Sequence, residues 1–202
     1  MQLICLSDTH GYQLRVPDGD VLIHAGDATM GGSEDALREF ADWFLSLPHP
    51  HKIFVPGNHD FWMQTEGAAA IFSGWGVHVL IGQEVEIEGL KFWGGPWVPN
   101  LPRWAFPETA GCWNIPKHID VLITHGPIYG VSDVCNGADG WPVHVGSADL
   151  ARAIPPSVQV HVHGHIHECH GVRRHVSGRL DVNCAIMDER YHPANWPIEV
   201  NI

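Results

Sequence analysis

The chain has 202 residues, of which 45% are apolar, so it is long enough to bury the core of one domain and leaves little room for a second. Its 11 Lys and Arg against 23 Asp and Glu give a net charge of −12, which argues against a nucleic-acid-binding protein with a basic surface and against an electrostatic membrane anchor. Gly and Pro are abundant, with 22 and 15 residues, which excludes a simple helical bundle and predicts long loops between strands.

The first half of the chain predicts strands and helices in alternation. Three apolar runs end in polar residues and glycine, as is typical of buried strands followed by loops, and these are residues 3–6, 21–24 and 53–55. Apolar residues three and four positions apart predict a helix between the second and third runs, with Ser33 as N-cap and Pro48 at its end. A second helix is predicted around residues 61–73.

The second half is predicted to be richer in strands. Three segments separated by glycine, within residues 77–93, favour an antiparallel meander. A buried strand at 121–125, a short helix near 147–154 and a strand from residue 158 follow, with further strands after residue 172. Two stretches rich in Pro, Gly and Trp, residues 94–116 and 130–146, are predicted to be irregular, and long loops of this kind usually carry function.

The cysteines and the hydropathy predict a cytoplasmic location. The chain has 5 Cys without a closely spaced pair, and the odd number argues against a disulfide framework. The sequence contains no recognisable signal peptide and no apolar run approaching about 18 residues, so no membrane span is expected. We therefore expect one mixed α/β domain over residues 1–202.

Residues that could carry chemistry stand at the ends of five predicted strands. In chain order they are Asp8 and His10, Asp27, Asn58 and His59, His125, and His165 and His167. Neighbouring strands place their ends along one sheet edge, so these side chains are expected to converge. In the two pairs separated by one residue, an extended chain would point both side chains to one face.

The composition of this set indicates metal binding. Taken singly, an Asp or His at such a position is more often part of a turn or of the core. Two Asp, one Asn and four His without a thiolate suit divalent Mn, Fe, Zn or Co rather than a structural zinc site. Seven ligands exceed what one ion with an open water position needs, so we predict two ions that share a bridging carboxylate. Two ions about 3.5–4 Å apart are a common device for activating water against a phosphoryl group.

Five motifs together resemble the calcineurin-like metallophosphoesterase superfamily in order and rough spacing. They are Asp8-x-His10, Gly26-Asp27, Gly57-Asn58-His59-Asp60, Thr124-His125 and Gly164-His165-x-His167. The resemblance implies a four-layer α/β sandwich, in which two mixed β-sheets are flanked by helices, without a cap domain. It also implies a dimetal-dependent phosphoesterase in which a metal-bridging hydroxide attacks phosphorus.

The resemblance further implies a role for each residue of these motifs. One ion would be held by Asp8, His10 and His167. The other ion would be held by Asn58, His125 and His165. Asp27 would bridge the two ions. His59 would not be a ligand but would face the scissile phosphate, where it stabilises charge or protonates the leaving oxygen.

A closer similarity is to the small metallophosphoesterase-domain proteins related to class III cyclic-nucleotide phosphodiesterases. It rests on Gly94-Gly95-Pro96-Trp97, Trp113-Asn114, Thr124-His125-Gly126-Pro127 and Gly164-His165-Ile166-His167-Glu168. Some members of that branch lack the histidine equivalent to His165, which this chain keeps. The protein-phosphatase branch has an Arg before the Gly-Asn-His motif and an Asp three residues after the bridging Asp, where this chain has Pro56 and Met30. The missing arginine clamp and the missing acid partner of His59 favour a singly charged diester over a phosphoprotein.

Residues of the two irregular stretches are candidate substrate contacts, namely Trp97, Arg103, Phe106 and His144. Trp104 and Trp141 are further loop aromatics, and the alternative role for all of these aromatic residues is to pack the loops down. Stacking of a nucleobase on an aromatic ring contributes about 1–3 kcal/mol. His161 and His163 are predicted to be packed residues that support the site rather than ligands.

The predicted substrates are small phosphodiesters such as cyclic nucleotides, with Mn as the metal to use in an assay. No nucleic-acid polymer and no membrane is expected as a partner, and the choice between monomer and homodimer is left open. One alternative is a phosphomonoesterase or nucleotide pyrophosphatase of the same superfamily. A non-catalytic metal-binding scaffold is a further alternative, which would require a broken ligand set.

Overall fold

The computed structural model of the protein describes residues 1–137 and 139–202. Within these residues the strands are β1 (Gln2–Leu6), β2 (Val21–His24), β3 (His51–Phe54), β4 (His78–Val79), β5 (Gln83–Ile87), β6 (Leu90–Gly95), β7 (Val121–Thr124), β8 (Val134–Asn136), β9 (Pro142–His144), β10 (Val160–His163), β11 (Gly171–Arg174), β12 (Leu180–Asn183) and β13 (Ile198–Asn201). The α-helices are α1 (Glu34–Ser46), α2 (Ala68–Gly74) and α3 (Ala148–Ala153), and 3₁₀ turns lie at Phe61–Gln64 and His167–Cys169.

Most of the strands form two mixed sheets. The first has the order β13-β1-β2-β3-β4, in which only the β13–β1 pair is antiparallel. The second has the order β11-β12-β10-β7-β6-β5, with a parallel centre and an antiparallel pair at each edge. The strands β8 and β9 form a separate hairpin. Because the central strands of each sheet are parallel, their carboxyl ends collect along one edge of that sheet.

Alternation of side chains along the central strands builds a four-layer structure, which confirms the fold class predicted above. On β1, Leu3 and Cys5 point into the core between the two sheets. Ile4 and Leu6 point to the opposite face, where they pack against α1 and α2. The outer face of the second sheet is covered by α3 and by the loop that contains Trp113. A strand buried on both faces needs a continuous apolar run, as the sequence has here.

The first helix is determined by its cap and by its apolar face. The side chain of Ser33 accepts a hydrogen bond from the backbone N–H of Ala36 at 3.3 Å, as expected for an N-cap. Leu37, Phe40 and Phe44 recur at helical spacing and are buried against the first sheet. The described part of the chain contains no helix that is both long and apolar enough to cross a membrane.

Three local predictions need correction. The segment at residues 77–81 does not join a meander, because β4 pairs in parallel with β3 whereas β5 and β6 form a hairpin in the other sheet. Period-two alternation indicates a strand but not its partner, which explains the error. The second predicted helix is interrupted before Gly67, whose φ of 86° breaks the helical path. The stretch 130–146 is not irregular throughout, since it contains the β8–β9 hairpin.

Candidate metal centre

The strand ends named by the sequence converge on one site. Asp8 and His10 follow β1, Asp27 follows β2, and Asn58 and His59 follow β3 in the first sheet. From the second sheet, His125 follows β7, and His165 and His167 follow β10. The backbone of Ser7 pairs with that of Ala185 just beyond β1 and β12, which joins the two sheets at this edge. The site therefore lies where the carboxyl ends of both sheets meet.

The candidate ligands form two groups. One group is Asp8, His10 and His167, and the other is Asp27, His125 and His165, and within each group the ligand atoms all lie within 4.8 Å of one another. Asp27 also belongs to a third such group with His10 and His59, so it lies between the other two. Its Oδ2 is 3.2 Å from Nε2 of His125 and 4.0 Å from Nε2 of His10. This is the position that a bridging carboxylate needs.

Asn58 completes the second group. Its Oδ1 lies 3.0 Å from Nε2 of His125, so both atoms face the same point. The structure thus brings together all seven residues that the sequence names as ligands. His165 and His167 are two positions apart in the chain, and each belongs to a different group.

The local geometry differs from the extended chain that the spacing suggested. The φ angles of Asp8, His10, Asp27 and His165 lie between 47° and 69°, in the left-handed region that side chains other than glycine rarely adopt. Asp8 and His10 therefore reach the site from a tight loop and not from a continued strand. Backbone strain of this kind costs on the order of 1–3 kcal/mol per residue and concentrates at functional sites.

Glycines in the motifs allow the ligand loops to approach one another. A Cβ atom at Gly164 would lie 2.1 Å from Oδ2 of Asp8, and one at Gly57 would lie 2.2 Å from Oδ1 of Asp27. At Gly26 it would lie 2.4 Å from Nδ1 of His125. These distances are far inside van der Waals contact, so the three glycines are required by the packing of the site itself.

The hydrogen bonds of the histidines fit a metal site. Nδ1 of His125, His167 and His10 donates to a backbone carbonyl, at 2.9 Å, 2.8 Å and 3.3 Å respectively. These bonds fix each ring and turn Nε2 towards the carboxylates, as is usual for metal-ligating histidine. Nε2 of His10 is buried and has no hydrogen-bond partner among the described residues. A buried unpaired nitrogen is costly, and a divalent cation would supply its missing partner.

The pKa values of the site follow from its burial and from the close approach of its carboxylates to its histidines. Burial raises the pKa of Asp8, but the hydrogen bond from His167 and the neighbouring histidines outweigh it and hold that pKa well below its usual range. Burial lowers the pKa of His125, but Asp27 raises it to about 9, so a metal ion that binds here must displace a proton from this ring. Burial lowers the pKa of His165 to about 4, which keeps its imidazole neutral and ready to act as a ligand.

His59 has an orienting partner that the sequence did not indicate. Its Nδ1 donates to the backbone carbonyl of Met30 at 2.7 Å, where the protein phosphatases have an acid side chain. Its backbone N–H donates to Oδ1 of Asp27, and its Nε2 lies 3.9 Å from Oδ2 of the same residue. The indole of Trp104 packs on its ring with the centroids 4.5 Å apart. The imidazole is thus fixed beside the bridging position.

Asp60 supports these loops and was not assigned a role from the sequence. Its carboxylate accepts hydrogen bonds from the backbone N–H groups of Gly57, Ala28 and Thr29. It therefore ties the loop after β3 to the loop after β2, which carries Asp27. Its place in the Gly57-Asn58-His59-Asp60 motif was the signal that could have identified it.

A cleft of about 190 Å³ opens over the site. It is lined by Asp27, Asn58, His59, Leu101, Trp104, His165, His167 and Tyr191. This lining, drawn from residues 1–137 and 139–202, contains none of the four substrate contacts suggested by the sequence. Among these, Phe106 is 7% exposed and belongs to the core, and Trp97 packs edge-on against Trp113. Arg103 is exposed and directly precedes the cleft-lining Trp104 in the sequence. The side chain of His144 is hydrogen-bonded to the carboxylate of Asp133, and both residues line a different cleft.

Trp104 and Tyr191 are the aromatic residues of the cleft. The sequence predicts that Trp104 either stacks with a nucleobase or packs its loop down, and it predicts no role for Tyr191. No pattern in the sequence distinguishes Tyr191, since it lies in a turn after the last motif. His161 and His163 are fully buried on β10, outside the two ligand groups, as expected for packed residues.

Comparison with known proteins agrees with this geometry. The family model described as calcineurin-like phosphoesterase matches residues 1–169. The human metallophosphoesterase domain-containing protein 1 is 32% identical over 238 residues, which covers 100% of this chain and 71% of the relative. A Caenorhabditis elegans UPF0046 protein is 33% identical over 231 residues, covering 100% of this chain and 81% of the relative.

A solved structure has the same fold at much lower identity. It is described as a putative 5'-nucleotidase from Staphylococcus aureus in complex with alpha-ketoglutarate, and it is 13% identical with a TM-score of 0.59. The match covers 98% of this chain and 53% of that chain.

Proposed function

Because the chain belongs to the calcineurin-like phosphoesterase family, and to its small metallophosphoesterase-domain group, it is a metal-dependent phosphoester hydrolase, and we propose that it hydrolyses small phosphodiesters. The observation that carries this proposal is the shared position of Asp27 between two ligand groups, with His59 fixed beside it. Cyclic nucleotides are the substrates we favour within this class.

The proposed metal content is two divalent ions per chain. Asp8, His10 and His167 would hold one ion, Asn58, His125 and His165 would hold the other, and Asp27 would bridge them. When bound, such a pair lowers the pKa of water to near neutrality and neutralises charge on the phosphoryl oxygens. Mn, Fe, Zn and Co all suit this donor set of imidazole, amide and carboxylate groups, and Mn is our choice for reconstitution.

The residues of the chain have separate tasks in the proposed reaction. The backbone carbonyl of Met30 holds His59 with Nε2 towards the cleft, where it can donate a proton to the leaving oxygen or stabilise charge on phosphorus. Asp60 keeps the loops that carry Asp27 and His59 at a fixed distance. Trp104 limits the movement of the imidazole and offers the rest of its ring to the cleft.

The charge of the cleft supports a diester substrate. Its described lining contains no Lys or Arg, and Pro56 stands where a phosphate-clamping arginine would be. A monoester dianion needs more compensation than a diester monoanion. The preference for cyclic nucleotides rests on Trp104, which is 39% exposed and can stack with a base.

The alternatives remain those stated from the sequence. A phosphomonoesterase or nucleotide pyrophosphatase would use the same ligands and differ in the loops around the cleft. A non-catalytic scaffold would need a missing ligand, whereas all seven candidates face the site. Our proposal includes a single domain over residues 1–202 without a cap, a cytoplasmic location, and a small-molecule substrate in place of a nucleic acid or membrane.

One parallel assay tests the proposal. Metal-free protein is reconstituted with Mn and assayed on an aryl phosphodiester, the matching aryl phosphomonoester and cyclic AMP. We expect kcat/KM for the diester to exceed that for the monoester by at least about tenfold, which corresponds to ~1.4 kcal/mol in transition-state stabilisation. Equal or faster cleavage of the monoester would instead establish the phosphomonoesterase.

A further inference from the structure

Tyr191 lies over the candidate metal centre, although it is outside the family match, which ends at residue 169. Its ring centroid is 4.8 Å from that of His10 and 5.2 Å from that of His167, and it meets both rings edge-on. The ring of His59 is 6.4 Å away. Tyr191 therefore lines the cleft between the proposed ligands of one ion and the proposed acid.

The turn that carries Tyr191 is attached to the metal centre. Nδ1 of His167 donates to the backbone carbonyl of Asp188 at 2.8 Å. The carboxylate of Asp188 accepts from the backbone N–H groups of Arg190 and His192, on both sides of Tyr191. Tyr191 itself has a φ of 61°, which is uncommon for a large side chain and is typical of residues placed for function. The ring is thus fixed in the cleft although it is 46% exposed.

The composition of the cleft leaves one role open. A phosphoryl group bound in front of Asp27 needs donors for its non-bridging oxygens, and the described lining offers no Lys or Arg. Apart from the proposed ligands and His59, the lining consists of Leu101, Trp104 and Tyr191. Leu101 has no polar side-chain atom, and Trp104 packs its ring on His59. Tyr191 alone in this described lining supplies a hydroxyl group.

We propose that Tyr191 contacts the substrate directly and donates a hydrogen bond from its hydroxyl to a non-bridging phosphoryl oxygen. The proposal rests on the proposed function, because it assumes that a phosphoester binds in this cleft. A phenol is a neutral donor, so it stabilises a developing negative charge without adding the positive charge that a dianion would require. Its effect is largest where that charge is largest, in the transition state.

The test compares Tyr191→Phe with Tyr12→Phe. Tyr12 is 45% exposed and is not part of the lining of the metal cleft, so it is a matched control for the loss of one phenol hydroxyl. Each Mn-reconstituted protein is measured for metal content, for kcat and KM on an aryl phosphodiester, and for inorganic phosphate binding by calorimetry. For Tyr191→Phe we expect two ions, a fall in kcat/KM of about 10–100-fold carried mainly by kcat, and a rise of about tenfold in the Kd of phosphate. Tyr12→Phe should equal the wild type in all three.

The outcomes separate this inference from the proposed function. If the wild type holds two ions and binds phosphate but cleaves neither the aryl phosphodiester nor the matching monoester, the proposed function is wrong. The phosphate affinity of Tyr191→Phe then still decides whether Tyr191 contacts the phosphoryl group. Unchanged kcat/KM and phosphate affinity in Tyr191→Phe overturn the inference and leave the ring as a packing group. Loss of metal from Tyr191→Phe, or a wild type that binds no phosphate, also overturns it.

Discussion

Substitution of Gly57 by alanine should damage the metal centre through a single methyl group. A Cβ atom at this position would lie 2.2 Å from Oδ1 and 2.3 Å from the backbone N of Asp27, whereas ordinary contact begins at 3.4 Å. Because one of the two atoms is backbone, a rotation of the Asp27 side chain cannot relieve both overlaps. The loops after β2 and β3 must therefore move apart by roughly 1 Å, which is several times the ~0.2 Å within which metal–ligand distances vary.

The expected effect of Gly57→Ala is a loss of metal affinity with a smaller loss of stability. Displacement of a ligand's support typically weakens metal binding by about 10–100-fold. Overpacking costs about 1–3 kcal/mol in the free energy of unfolding. Affinity is measured by competition with a chelating dye, and stability by urea unfolding of the metal-free protein, so that the two effects are separated.

Gly74→Ala is the matched control for this experiment. Gly74 ends α2, and nothing lies within 4 Å of the position that its Cβ would take. The same chemical change there should leave metal affinity unaltered and can raise helix stability by up to about 1 kcal/mol. If Gly57→Ala bound two ions with the affinity of Gly74→Ala, the close approach of Asp27 to Gly57 would not determine the site, and our reasoning would be refuted.

Four further predictions concern the site and the core. Asp27→Ala should lose both ions together in elemental analysis, because each ion would lose the carboxylate that the two share, and retention of one full ion would contradict the bridge. His59→Ala should keep both ions yet lower kcat by about 10²–10⁴-fold, whereas loss of metal would make His59 a ligand. Trp104→Ala should raise KM for cyclic AMP more than it lowers kcat, and an unchanged KM would argue against stacking. Burial lowers the pKa of His24 to about 3 in the folded protein, against an ordinary value of about 6.5 in the unfolded chain. The unfolded chain therefore takes up the proton first, and stability is lost as the pH falls below about 6.5. Between pH 7 and pH 5 the contribution of His24 to this loss is about 2 kcal/mol, so urea unfolding of His24→Phe should show a loss smaller than that of the wild type by this amount.

The ends of the strands could be predicted because a pattern of a few adjacent residues indicates each of them. The run at residues 21–24 is a strand with the same bounds in the structure, and Ser33 caps the helix that follows. The ligands come directly after such runs, so a parallel sheet brings the ligands of each sheet to one edge. That the edges of two sheets meet at the site is shown only by the structure. The same reasoning went wrong for Asp8 and His10, because it extended the strand into a loop where both residues adopt positive φ.

The residues around the substrate could not be predicted in the same way. Trp104 and Phe106 are two positions apart in one irregular loop, yet Trp104 faces the cleft and Phe106 enters the core. The difference depends on the path of the loop, which includes a φ of 51° at Phe106. No local sequence pattern predicts this path. The partner of His59 could not be predicted for a related reason. A backbone carbonyl replaces the expected acid, and every residue type has one.

The net charge and the histidine content of the chain can be understood together at this site. Of the seven proposed ligands, only Asp8 and Asp27 are anionic, and both are buried. Two divalent ions would therefore leave a surplus of about +2 at the centre, which the hydroxide nucleophile would reduce to about +1, despite the net charge of −12 for the whole chain. A diester monoanion would cancel the remaining charge, whereas a monoester dianion would leave the centre with a net negative charge. Because neutral histidine and asparagine ligands leave the charge of the ions largely uncompensated, the centre would be positive without a Lys or Arg in the described lining of the cleft, and its charge is matched to one substrate charge rather than two.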